Sequence, residues 1–142
     1  MSRNPDTNSR IWIAAMAWVL CGLLAGAAMA QPGKYLGPCD VVAAKDGSAL
    51  FVLNVDARRV AVVETASAKV TRTIALPAQP TGMCLGPDGT RLYVTCANPL
   101  GTVHVIDAAT GQPSATIAAG HSACAPVVSP DGKRLYVCNR FN

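Results

Sequence analysis

One nine-residue run occurs twice, almost letter for letter. Gly86-Pro87-Asp88-Gly89-Thr90-Arg91-Leu92-Tyr93-Val94 returns as Ser129-Pro130-Asp131-Gly132-Lys133-Arg134-Leu135-Tyr136-Val137, and Lys45-Asp46-Gly47-Ser48-Ala49-Leu50-Phe51-Val52 is a fainter first copy. The Asp-Gly pairs begin at positions 46, 88 and 131, at steps of 42 and 43 residues. A fixed period in that range marks an array of supersecondary units, each hiding its apolar face against the next. The alignment reaches well past the turn: Glu64 falls on Asp107 and Ile74 on Ile117, each 43 residues on.

From Cys39 the chain reads as short strands separated by turn signals, with no sustained period of 3.6. The first unit predicts strands at 40–44, 49–54, 59–64 and 69–75. The second predicts them at 81–85, 91–96, 102–107 and 113–118, and the third at 124–128 and 134–139. Turn chemistry explains the repeated residues. Proline presets φ near −65° for the first corner, Asp tolerates the second and bonds nearby backbone, and glycine takes the left-handed position that closes a hairpin. Asp46, Gly47, Asp88, Gly89, Asp131 and Gly132 are therefore read as structural turn residues. Leu-Tyr-Val runs suit a pleated, packed surface. Four strands in about 40 to 45 residues is the pattern of a propeller blade. The expected fold is all-β: a β-propeller of four-stranded antiparallel blades, incomplete at about two and a half blades. Its units are about 39–80, 81–123 and a truncated 124–142.

These motifs resemble the YVTN family of β-propeller repeats. The likeness rests on Pro-Asp-Gly-x-Arg-Leu-Tyr-Val, on Gly101-Thr102-Val103-His104-Val105-Ile106-Asp107 and on Ala109-Thr110-Gly111. Tyr93-Val94-Thr95-Cys96 and Tyr136-Val137-Cys138-Asn139 stand where that family carries Tyr-Val-Thr-Asn. The resemblance spans about residues 38–142. It implies a fold and leaves function open, because such repeats occur in exported, surface and cofactor-bearing proteins alike. The chain stops at Arg140-Phe141-Asn142, where a further Gly-x-Val-x-Val-Ile-Asp run is due. It reads as an N-terminal fragment of a longer protein, and alone it would expose blade faces and a sheet edge, which predicts aggregation or poor folding.

Residues 1–30 read as an export signal. Arg3 and Arg10 precede an uncharged apolar run from Ile11, and Ala28-Met29-Ala30 offers small residues for cleavage before Gln31-Pro32. The rival reading is an uncleaved anchor, since residues 11–30 are long enough to span a bilayer; membrane association is expected only in that case. Residues 31–38, with two prolines and two glycines, read as a linker. The expected location is exported: periplasmic, cell-surface or secreted.

Beyond the signal, ten Lys/Arg and seven Asp/Glu are scattered along the chain, and no basic stripe with interleaved aromatics supports nucleic-acid binding. Cys21 belongs to the discarded apolar run. Cys39, Cys84, Cys96, Cys124 and Cys138 remain, none in C-x-x-C spacing, so at least one lacks an intrachain partner. If Asp131 centres the third hairpin, Cys124 and Cys138 face each other across adjacent strands and become a possible disulfide. The same arithmetic in the second hairpin sets Cys84 against Leu92 and Cys96 against Pro80, so no pair forms there.

No catalytic constellation stands out. His104 is read as a mid-strand residue and His121 as a loop residue. Asp46, Asp88 and Asp131 recur with the fold, and Glu64 and Asp107 end equivalent strands. No Ser/His/Asp order, phosphate-cradling loop or metal-ligand spacing is visible. No catalytic, cofactor-binding or metal residue is assigned; cofactors of the full-length protein stay unknown. The expected function is an exported, non-enzymatic binding or scaffold module whose rim loops meet a protein or small-molecule ligand. One alternative is the propeller of a periplasmic, haem-containing redox enzyme or its electron-transfer partner; another is a lactonase-like hydrolase, marked by acidic residues converging on the channel mouth.

Overall fold

A computed structural model describes residues 35–141. The export segment expected at 1–30 and residues 31–34 of the linker lie outside the described residues, as does 142. The described chain runs through ten strands and no helix: β1 (Pro38–Ala43), β2 (Ala49–Asn54), β3 (Arg59–Glu64), β4 (Lys69–Ala75), β5 (Gln79–Leu85), β6 (Arg91–Ala97), β7 (Thr102–Asp107), β8 (Pro113–Ala118), β9 (Ala123–Val128) and β10 (Leu135–Asn139). Five of these bounds coincide with the sequence reading. The others differ by one or two residues, the largest shifts being β1 and β5, which each begin two residues earlier than expected.

Each period of the sequence is one antiparallel sheet. β1-β2-β3-β4 form the first blade, β5-β6-β7-β8 the second, and β9 with β10 the inner half of a third. The blades meet along their first strands, β1 against β5 and β5 against β9. This is the β-propeller arrangement, with successive sheets stacked face to face around the innermost strands.

The core lies between the first two blades. Phe51, Leu53, Val60, Val62, Ile74 and Leu76 of the first pack against Met83, Leu92, Val94, Cys96, Ile106 and Ala108 of the second. Their period-two spacing on β2, β3 and β6 turns one row of side chains toward the neighbouring blade. The alternate row of β6 (Arg91, Tyr93, Thr95 and Ala97) is more polar, and of it Thr95 alone is buried.

The three Asp-Gly turns share one construction. Gly47, Gly89 and Gly132 have φ of 72°, 79° and 71°, which a Cβ would strain. In each turn the glycine N–H bonds back three residues, to the carbonyls of Ala44, Gly86 and Ser129 at 2.8–2.9 Å.

Each first hairpin of a blade also carries a bulge that adds one residue to the inner strand. Register shifts by one between Pro38 and Asp40, between Pro80 and Gly82, and opposite the span from Tyr136 to Cys138. The bulge corrects one sequence expectation. Cys84 lies on the turn side of the bulge and faces Tyr93, not Leu92, while Cys96 on the far side faces Pro80. A single centre of symmetry cannot describe both ends of a bulged hairpin.

Candidate functional site

Two places bring chemistry-bearing side chains together: the rim that carries the Asp-Gly turns, and the innermost strands. On the rim, a cleft of about 650 Å³ opens between the first and second blades, lined by Lys45, Asp46, Ser48, Arg72, Asp88 and Gly89 among others. A second, of about 390 Å³, lies between the next two turns and is lined by Pro87, Asp88, Arg91, Tyr93, Pro130 and Asp131. The blade period thus repeats the cleft: each is bounded by two successive turns.

The carboxylates of these turns are already engaged. Asp46 accepts from the Ser48 N–H at 3.0 Å and its hydroxyl at 2.7 Å. Asp88 accepts from the Thr90 hydroxyl at 2.7 Å and N–H at 3.1 Å. Asp131 accepts from the Ser129 hydroxyl at 2.5 Å and the Lys133 N–H at 3.1 Å. Asp107, closing the β7–β8 turn, accepts from the Thr110 N–H at 2.7 Å and hydroxyl at 2.8 Å. These bonds favour the charged form and hold all four carboxyls below their usual range. Such groups stay ionised and solvent-facing, suited to shaping a loop and ill suited to giving up a proton near neutral pH.

Arg72 supplies the cleft's cationic wall and ties two blades. From β4 its guanidinium donates to the Ala109 and Ala108 carbonyls of the β7–β8 turn, the latter at 2.9 Å.

On the innermost strands, Asp40 is the one carboxylate of β1, β5 and β9. One oxygen accepts from the Met83 N–H of β5 at 3.0 Å, the other from the Val41 N–H at 2.9 Å. At the next boundary the Thr81 hydroxyl donates to the Ala123 carbonyl of β9 at 2.6 Å and lies 3.0 Å from the Thr95 hydroxyl. Sequence reading passed over both ties. The signal was available for Asp40: one period later its place is Gly82, and two later Ala125, so a charge stands where the other copies carry small uncharged residues.

Three of the five described cysteines are held unreactive by their surroundings. Burial pushes the Cys84 and Cys96 thiols up to about 11, and burial followed by the nearby Asp40 charge raises Cys39. These three stay protonated near neutral pH and are poor nucleophiles. Cys124 on β9 is register partner to Cys138 on β10, and both are free thiols here.

His104 sits between two hydroxyls, its Nε2 3.2 Å from Thr102 Oγ1 and its Nδ1 3.2 Å from Thr116 Oγ1, and burial lowers its pKa. It lines an outer groove of about 430 Å³ with Ile74, Leu76, Pro77 and Pro113. His121 stacks edge-on against Phe141, ring centroids 5.6 Å apart. Among the described residues, no group of three or more His, Cys, Asp or Glu side chains is placed to hold a metal ion.

No protein-family model matches the chain, and no curated protein matches it. Solved structures do. Hydrazine synthase of Kuenenia stuttgartiensis is 33% identical with a TM-score of 0.69, over 80% of this chain and 33% of its own. A 6-phosphogluconolactonase-like protein of Bacteroides fragilis is 21% identical with a TM-score of 0.67, over 75% of this chain and 33% of its own. A similar protein of Bacteroides uniformis is 22% identical with a TM-score of 0.63, over 71% and 33%. The chain therefore spans about a third of the length of each structure it matches. What these neighbours share with the two four-stranded sheets described above is the β-propeller fold.

Proposed function

We propose that this chain is part of an exported propeller of YVTN-type repeats that acts as a binding or scaffold module through its rim clefts. The observation that carries the reading is how its polar groups are used. The carboxylates of the three Asp-Gly turns accept bonds within their own turns, and Asp40 spends both oxygens on backbone N–H groups. Acid–base chemistry needs a carboxylate free to meet a substrate and tuned toward the working pH. What remains at the rim is shape, with Arg72, Lys45 and Arg91 beside fixed carboxylates, and loops so placed serve recognition.

The test is an assay of the purified full chain with 6-phosphogluconolactone. The scaffold reading expects ring opening no faster than in buffer. Hydrolysis above that background, lost in Asp40→Asn, would overturn it in favour of a lactonase. The two lactonase-like neighbours, at 21% and 22% identity, speak for fold alone.

A second reading is favoured by one observation, the 33% identity to a hydrazine synthase across most of this chain. In it the propeller belongs to a redox enzyme and supports a cofactor held elsewhere in that protein. A haem stain of the native protein isolated from its source distinguishes the two. Stain in the species containing this chain supports the redox reading, and an unstained species sinks it.

A further inference from the structure

The third sheet holds the only two cysteines that are register partners among the described residues. Cys124 on β9 pairs with Cys138 on β10, just outside the bulge where Ala125 takes a positive φ of 46°. Direct antiparallel partners have Cα atoms about 4.5–5.5 Å apart, inside the range of about 4.4–6.8 Å that a disulfide bridges. One period earlier the same two places hold Thr81 and Thr95, whose hydroxyl oxygens lie 3.0 Å apart. Thr81 lies in the bulge and the register partner of Thr95 is Gly82, yet these two side chains meet across the hairpin, and Cys124 and Cys138 are direct register partners. Access also fits: Cys138 is exposed and Cys124 half-buried, whereas Cys96 is closed into the core and Cys84 faces Tyr93.

We propose that Cys124 and Cys138 form a disulfide within the third blade, stapling the β9–β10 hairpin. A crosslink near the open end of the hairpin holds β9 and β10 in register across the bulge.

The bond forms by exchange with a small disulfide such as glutathione disulfide. The exposed Cys138 sulfur, as thiolate, attacks one sulfur of the oxidant; the oxidant's S–S bond breaks and one glutathione thiolate leaves. The Cys124 sulfur, after losing its proton, then attacks Cys138 sulfur and releases the second glutathione. Two protein thiols are oxidised, one glutathione disulfide is reduced to two thiols, and the protons from the protein end on the leaving thiols.

The experiment equilibrates the full chain in a glutathione disulfide/glutathione buffer, traps free thiols by alkylation, and digests without reduction, using trypsin and a protease that cuts before Asp. Those cuts separate Cys124, in fragment 107–130, from Cys138, in fragment 135–140, and from Cys96. The expected product is the 107–130/135–140 linked pair, at least about tenfold more abundant than any other cysteine pairing and scrambled when the oxidation is run in urea. It is absent from Cys124→Ser and from Cys138→Ser. Glutathione retained on Cys138, alkylation of both thiols, or Cys138 linked to Cys39, Cys84 or Cys96 in the native chain each overturns the proposal.

Discussion

Ile74 on β4 and Ile117 on β8 occupy the same place in successive blades, yet the first is 7% exposed and the second 45%. Their surroundings account for the gap. Ile74 is covered by the outer strands of the second blade, and the Arg72 guanidinium beside it grips the Ala108 and Ala109 carbonyls. Ile117 faces the third blade, of which the described residues supply β9 and β10, and the place of Arg72 is taken by Ala115. The inner part of the second boundary is nonetheless complete: Thr81 bonds Ala123, and a Cβ on Gly82 would come within 3.0 Å of the Ala125 nitrogen and of Pro126. Inner strands therefore lock blades together whether or not outer strands are present, and outer strands are what bury the rest. A repeat unit carries the residues for an interface; the neighbour decides whether those residues are buried.

The difference is largest in a matched pair of truncations. Ile74→Ala is expected to cost about 3 kcal/mol, as a core truncation does, and Ile117→Ala no more than about 1. Urea midpoints by circular dichroism measure both, and equal losses would show that the second boundary is as closed as the first. Next comes Gly82→Ala, which tests the inner lock. The added methyl meets backbone rather than a flexible side chain, so about 2 kcal/mol is expected, with faster hydrogen exchange in β9 than in β3. Arg72→Met keeps much of the stem and removes the two carbonyl bonds of the first boundary. A loss of about 1.5 kcal/mol is expected, and Ala115→Met at the second boundary should change the midpoint little.

The smallest effect is one of pH. His104 lines the groove against Ile74 and Leu76, and burial disfavours its imidazolium. The unfolded chain takes up that proton near pH 6.5 and the folded chain only at lower pH. His104 thus contributes stability above about pH 6.5 that is lost as pH falls through its folded pKa. The urea midpoint should be lower at pH 5 than at pH 7.5, and in His104→Gln that part of the difference should vanish. An unchanged difference would place the titration in another group than His104. The turn carboxylates are not that group: with lowered pKa values they lose their contribution only at more acidic pH, below about 4.

Much of the fold was legible in the chain, because strands and hairpin turns are short-range structures. β2, β3, β4, β7 and β8 fell where alternation and turn residues put them. The bulges were not legible. Nothing in Pro80-Thr81-Gly82 says which residue is extra until β6 is laid beside it, and Cys84 was set against Leu92 for that reason. The candidate site was less legible still. The sequence reading assigns Asp40 no role, because the Met83 N–H that occupies one of its oxygens is 43 residues away.

By itself the sequence determined the period, the four-stranded unit and the Asp-Gly turns. Gly89 with φ of 79° beside Asp88 bonded to Thr90 is settled within a few residues, by what a backbone without Cβ allows and what a short carboxylate reaches. Only the tertiary structure decided which copy of a residue is buried, which inner-strand polar groups tie blades together, and which cysteines come face to face. Those outcomes depend on surfaces from segments about a period apart in the chain, and an apolar side chain such as Ile117 is the same residue whether or not a neighbour arrives to cover it.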